Sequence, residues 1–466
     1  MHDYETFGTN PQLDDASQFA ALRVNEKMEA LGEPTNIFCQ PSADSLPHPM
    51  AVLITGVTPQ AAYRKGLTEF EFAKRIFDEV TQPGTCTVGF NSGRFDDKFT
   101  INLFYRNFLD MYAWTWKDGC SKWDIIDLLR AYQALRPEGV IWPRKEDGKL
   151  DFRLESFTAA NGIEHSNSHE ALSDVEASIS TCNILKKSNP KMFDYFFDKR
   201  RKRELQNLVD LAAPTPLVYV SGILGTKRNC LTVVLPIGYV NGDNQLICID
   251  LVGDVEQLKQ PGEEIKAALY SKRKSETPRP PLLKVELNKC PILAPLNVLR
   301  QEDCQRLDID VSGAVAKAEL FNNPELKSKL LSVYTREDKA KDEQVYIETR
   351  TYDGFFSNDD RKLCQQFLEL SPSDMASFEF PEEADPRLSE LRDLFVCRNF
   401  PKNMTRRQKS WWKERCAKRI SEQLPEFNEA MVQARQEYAA YPDKQQLLDD
   451  LEAHVEKLKR DAGLNI

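Results

Sequence analysis

The sequence predicts an α/β domain, then a small β-barrel, then an α-helical C-terminal domain, with boundaries at 1–188, 189–342 and 343–466. Three observations carry that order. Strand-like and helix-like runs alternate through about the first 190 residues, β-branched runs broken by Gly and Asn turns fill about 214–295, and helical patterning dominates the rest. At 466 residues the chain is also too long for one ordinary core, and at ~100–200 residues per domain it divides into two to four.

Each zone has its own signals. In the first, "FAALRV", "NIFCQ" and "TCTVGF" read as strands, and "TEFEFAKRIFDEV" and "DVEASISTCNILKK" as helices. Phe72, Ile76, Phe77 and Val80 recur at helical spacing, so one face of that helix packs onto a sheet. The basic cluster "DKRRKREL" and the prolines of "DLAAPTPLVYVSG" mark a linker. "PLVYVSGILG", "CLTVVLPIGYV", "QLICIDLVG" and "LLKVELNKCPIL" supply the barrel strands. The last helix carries Leu447, Leu451, Val455 and Leu458 on one stripe.

Composition narrows the class. With 41% hydrophobic and 29% charged residues the chain has the balance of a globular protein. No apolar run reaches the ~18 residues of a bilayer span and no signal peptide opens the chain, so a cytoplasmic protein without membrane contact is expected. Eleven cysteines, none in a CxxC pair, fit reduced core thiols rather than a zinc site or disulfide framework. A net charge of −10 excludes a uniformly cationic nucleic-acid coat, although local basic stretches remain available for phosphate.

The acids of the first zone are the candidates for chemistry. Asp3 and Glu5 stand two apart on a strand and so point to one face, with His2 and Tyr4 on the other. Alone, such a pair also fits a solvated face. "VGFNSGRFDDKF" ends a strand and opens a helix with Asp96 and Asp97 in its first turn, where helix starts favour Asp anyway. In "SNSHEALSDVEAS", Asn167 or Ser168 caps a helix that carries Asp174. At ~100° per residue His169 and Asp174 lie about 140° apart, so they form no metal-binding i, i+4 pair and His169 reaches the site from the rim.

Taken in order, Asp-x-Glu, Asn-x-x-x-Phe-Asp and His-x-x-x-x-Asp resemble the DEDDh superfamily of proofreading and RNA-trimming 3′→5′ exonucleases, and "ITGVTPQAA" resembles a stretch common in that family. Within it, "HDYETFG", "RFDD", "FYRNF", "ALRPEG", "NGIEHSN", "NKCP", "LRQED" and "GFFS" resemble the bacterial exodeoxyribonucleases specific for single strands, over nearly the whole chain. The resemblance implies a ribonuclease H-like nuclease domain with a mixed sheet, an SH3-like barrel and a helical C-terminal domain. It implies release of 5′-mononucleotides from the 3′ end of single-stranded DNA, in DNA repair and recombination. Asp3, Glu5, Asp96 and Asp174 then hold two Mg²⁺ ions, with Mn²⁺ as substitute, and His169 is the general base. Single-stranded DNA-binding protein is the implied partner of an expected monomer.

For the strand itself, Tyr112, Trp114 and Trp116 of "YAWTW" share a face if extended and offer stacking for unpaired bases, or else belong to the core. Tyr112 and Trp116 are taken as substrate contacts. Arg130, in the apolar helix "DIIDLLRAYQAL", and Arg153 each need an anion, either a phosphate or a protein carboxylate, and are taken as contacts too. "TRRQKSWWKERCAKR" suits a strand-binding surface or a solvated helix face. Two other functions compete: an exoribonuclease of the same superfamily, and a single-strand-binding protein impaired in catalysis. The second arises because only Met1 and His2 precede Asp3, about half a usual strand of ~5–6 residues. The natural protein is therefore expected to begin upstream with a short apolar run.

Overall fold

The computed structural model describes residues 1–164, 170–271, 279–334 and 346–464. The strands run in the order β1 (His2–Thr6), β2 (Ala16–Ala21), β3 (Thr35–Phe38), β4 (Cys86–Gly89), β5 (Ser121–Asp124), β6 (Leu217–Val220), β7 (Leu231–Val240), β8 (Gln245–Asp250), β9 (Leu282–Glu286) and β10 (Ile292–Pro295). Two compact units result: Met1–Ser121 with His165–Glu176 and Lys341–Ile466, and Lys122–Glu164 with Ala177–Ala340.

In the first unit β1, β2 and β3 form an antiparallel sheet in that order, with Asp3 opposite Ala20, Tyr4 opposite Phe19 and Glu5 opposite Gln18. β1 is a strand of five residues, not the half strand expected from the sequence. Backbone bonds begin at Met1, whose ammonium donates to the Leu22 carbonyl at 3.0 Å while Leu22 N–H donates to the Met1 carbonyl at 3.0 Å. His2 and Tyr4 are both buried on this strand. The Tyr4 ring meets Phe19 at 4.8 Å, and His2 Nδ1 lies 3.1 Å from the Val88 carbonyl of β4.

The helix Glu69–Val80 starts on a reciprocal cap in which Thr68 accepts from Glu71 N–H and Glu71 accepts from Thr68 N–H. It buries Phe72, Ile76 and Val80 as the spacing predicts, with Phe77 partly covered. Much of its cover comes from the far end of the chain. Phe395, in the helix Arg387–Asn399, lies 5.1 Å from Phe70 and 5.5 Å from Phe108, and Phe367 lies 4.7 Å from Phe108. The C-terminal helices therefore complete the core of the first 121 residues. The stripe of the final helix, Pro442–Ala462, forms a second core in which Leu448, Leu451, Val455 and Leu458 are buried and Leu447 partly so.

Buried ion pairs join the same two segments. Asp44 accepts from Arg398 at 3.0 Å, Arg415 at 2.9 Å and Arg419 at 3.2 Å; Glu348 accepts from Arg415 and Arg419; Glu69 accepts from Arg106 at 2.7 Å and from Arg398 at 3.3 Å. Burial pushes the Asp44 carboxyl up, but Arg398, Arg419 and Arg415 outweigh it and hold the group well below the usual carboxylate range. Arg415 and Arg419 belong to "TRRQKSWWKERCAKR", so that stretch is in part an internal counter-charge rather than an exposed basic face.

In the second unit β6 to β10 form one antiparallel sheet in the order β10-β6-β7-β8-β9. A bulge between Pro236 and Gly238 lets the long β7 bend where proline has no N–H to give the ladder. Leu217, Val234, Leu246, Cys248, Val285 and Leu293 form a buried core against it. All eleven cysteines are free. Among the described residues no helix is long and apolar enough to cross a membrane.

Asp44→Asn leaves three buried guanidinium groups short of a counter-charge and is expected to cost about 3–5 kcal/mol in urea unfolding. Asp78→Asn, which breaks only the exposed pair with Lys74, is expected to stay within about 0.5 kcal/mol. Equal effects in the two variants remove the network from its structural role.

Candidate active site

Alternation along β1 turns Asp3 and Glu5 to the side opposite His2 and Tyr4. β4 ends at Gly89, where a Cβ would fall 2.6 Å from that of Ser92, so only glycine admits the tight turn that follows. Asn91 takes a left-handed conformation (φ 62°), and the helix Asp96–Arg106 begins two residues after the short turn Ser92–Arg94. This places Asp96, buried, beside β1, where its Oδ1 accepts from Tyr4 N–H at 3.2 Å. Asp174 comes from the first turn of the helix Ala171–Ser188.

Asp3, Glu5 and Asp174 each offer a carboxylate oxygen, and these oxygens all lie within 4.8 Å of one another. Asp96 stands outside that trio but close enough to act on it. Burial, then Asp96, Glu5 and Asp174, raise the Asp3 carboxyl well above its ordinary range. Burial, then Asp174, Asp96 and Glu170, push Glu5 up to about 9. The charges acting most strongly on both groups are other carboxylates, the reverse of Asp44 and its three arginines. Hard oxygen donors gathered at low exposure with mutual repulsion fit a divalent cation, which removes the repulsion and satisfies the lone pairs.

The structure thus brings together Asp3, Glu5 and Asp174 and sets Asp96 beside them. His169 and the capping candidates Asn167 and Ser168 lie outside the described residues. Glu170 is a further acid acting on Glu5 that the motif spacing did not single out.

The proposed strand contacts divide. "YAWTW" is not extended: Ala113–Trp116 is a helical turn, so its aromatics do not share one face. Trp114 is in the core, its Nε1–H donating to the Met111 carbonyl at 2.9 Å. Trp116 is 63% exposed, and Tyr112 meets Phe355 edge-on at 5.7 Å. Phe355 and Tyr352 are exposed as well, and sequence reading missed them although "TYDGFF" holds both. Of the two arginines, Arg130 is mostly buried and paired with Asp127 at 2.5 Å. Arg153 pairs with Asp151 at 2.6 Å but leaves its side chain 65% exposed.

Comparison with known proteins covers all three zones. Residues 1–181 match the Exonuclease family, 200–336 the Exonuclease I SH3-like domain and 346–458 the Exonuclease I C-terminal domain. Exodeoxyribonuclease I of Escherichia coli K12 is 38% identical over 464 residues, covering 98% of this chain and 97% of its own. That of Haemophilus influenzae is 39% identical over 466 residues, with 98% of each covered. The crystal structure of E. coli exonuclease I with a dA16 oligonucleotide superposes with a TM-score of 0.93, over 98% of each chain at 38% identity. The E. coli protein has also been solved with zinc and single-stranded DNA (TM-score 0.93) and as a complex with SSB-Ct (TM-score 0.91).

The raised Glu5 carboxyl fixes a pH dependence. Its protonated form favours the folded state, a contribution complete below the ordinary value of 4.5 and lost as pH rises through about 9. The metal-free protein is therefore expected to melt at progressively lower temperature across that window, Glu5→Gln to flatten the decline, and added Mg²⁺ to raise the high-pH side. Melting curves that fall equally in parent and Glu5→Gln contradict the assignment.

Proposed function

The chain belongs to the exonuclease I family, and on that basis we propose how its residues carry out the hydrolysis of single-stranded DNA. The protein is an exodeoxyribonuclease. Its action runs 3′→5′ and releases 5′-mononucleotides. Asp3, Glu5 and Asp174 hold divalent cations directly, with Asp96 as the fourth ligand; Mg²⁺ is the natural ion and Mn²⁺ its substitute. Cations held there would supply positive charge to the negative charge that builds up as the phosphodiester is cleaved. His169 takes the proton of the attacking water. The observation that carries this reading is the trio of oxygens within 4.8 Å, where burial and neighbouring carboxylates both raise Asp3 and Glu5.

For the strand, Trp116, Tyr112 and Phe355 offer aromatic surface at roughly 1–3 kcal/mol per stacked base, and Arg153 offers an exposed guanidinium. Arg130 is better read as a structural partner of Asp127. The domain reading places the nuclease at 1–188, the SH3-like barrel at 189–342 and the helical domain at 343–466. The protein works in the cytoplasm, in DNA repair and recombination, and binds the C-terminal peptide of single-stranded DNA-binding protein as its E. coli relative does. A five-residue β1 that carries Asp3 and Glu5 supports catalysis over an impaired binding protein.

The test is hydrolysis of 3′-labelled single-stranded DNA, duplex DNA and RNA with and without Mg²⁺. Single-stranded DNA alone is expected to be degraded, and only with the metal. Asp3→Asn and Asp174→Asn are expected to lower turnover by orders of magnitude with DNA binding largely kept. His169→Ala is expected to lower turnover while calorimetric metal affinity stays near the parent. Near-normal turnover in either acid variant, or RNA cleaved as fast as DNA, overturns the reading.

A further inference from the structure

Tyr4 stands between the two acids of β1, on the strand face turned away from them, which is the usual place of a core residue. Its contacts say more. The Tyr4 N–H donates to Asp96 Oδ1 at 3.2 Å, and its phenolic oxygen lies 3.1 Å from Thr100 Oγ1, which in turn lies 3.1 Å from the Asp96 carbonyl. A carbonyl only accepts, and threonine has one hydroxyl proton. Thr100 therefore donates to Asp96, and the Tyr4 hydroxyl donates to Thr100. One residue thereby grips Asp96 twice, directly at the side chain and through Thr100 at the backbone.

The surroundings leave this relay little freedom. Tyr4 and Thr100 are each about 3% exposed and Asp96 5%, and the tyrosine ring packs in a cluster with Phe19 at 4.8 Å and His2 at 6.2 Å. Asp96 needs such a hold. Phe95, which precedes it, has irregular dihedrals (φ −129°, ψ −75°) and gives the helix no side-chain cap, so the cap does not orient the acid. Asp96 also lies outside the 4.8 Å trio, so its reach toward a shared cation depends on where the first turn of its helix is set.

We infer that Tyr4 and Thr100 are positioning residues that set Asp96 against Asp3, Glu5 and Asp174, so that the strand carrying two of the acids also fixes the placement of a third. The inference rests on the reading of Asp96 as a metal ligand. Groups that orient ligands in this way typically change metal affinity about 10- to 100-fold when removed.

The test measures Mn²⁺ binding to the metal-free protein by calorimetry, alongside melting temperature. Tyr4→Phe removes only the hydroxyl, and Thr100→Val keeps the shape. Each is expected to weaken Mn²⁺ binding about 10-fold, the double variant no more than either alone, and Thr100→Ser to bind like the parent. Turnover at saturating Mn²⁺ is expected to recover most of its parent value, which a general loss of fold does not allow. If Tyr4→Phe fails to fold, Thr100→Val against Thr100→Ser decides. Parent-like affinity in the valine variant, or equal loss in valine and serine, overturns the inference. Asp96→Asn separates the two layers: weakened Mn²⁺ binding there with none in Thr100→Val rejects the relay alone, whereas parent-like binding in Asp96→Asn rejects the ligand reading beneath it.

Discussion

A carboxylate removed from water must find positive charge, and the first unit meets that demand in two ways. At Asp44 the charge comes from within, as three arginines from the C-terminal helices. At Asp3 and Glu5 the charges acting most strongly are other acids, Asp174 and Asp96 among them, so positive charge has to come from a bound cation. The first arrangement is closed and holds segments together. The second is open and stores repulsion that a bound cation relieves. A fold that supplied arginines to both would be steadier and would have no place for a metal ion.

The sequence disclosed the parts of this arrangement that depend on short spacing. Two residues on a strand share a face, so Asp3 and Glu5 were legible at once, as were the apolar face of the helix at Glu69, the helix start at Asp96 and the stripe from Leu447 to Leu458. What stayed hidden depends on partners far along the chain. Arg415 and Arg419 sit among lysines and tryptophans and look like a solvated basic face, because Asp44 is more than 350 residues away. Trp114 and Trp116 carry identical local signals, yet one is core and the other exposed. The seat of β1 was hidden for the same reason, since Met1 and His2 read as too short a lead until Val88 is seen against His2 and Phe19 against Tyr4.

The zones that composition separates are not the units that packing makes. Composition follows local secondary structure, which changes at each linker. Packing follows which apolar faces lack cover, and the helix Glu69–Val80 with Phe108 is covered by Phe367 and Phe395. Nuclease-like and C-terminal segments thus form one body around a shared core.

That shared core has a consequence for synthesis. Phe70, Phe77 and Phe108 leave the ribosome early, whereas the helices that cover them begin more than 200 residues later. At ~5–20 residues per second, the emerging chain holds that apolar surface uncovered for roughly 10–40 s. Over such an interval a nascent chain either recruits a holding chaperone or keeps the surface loosely collapsed on itself. The helices that complete this core are then made long after the strand that carries Asp3 and Glu5.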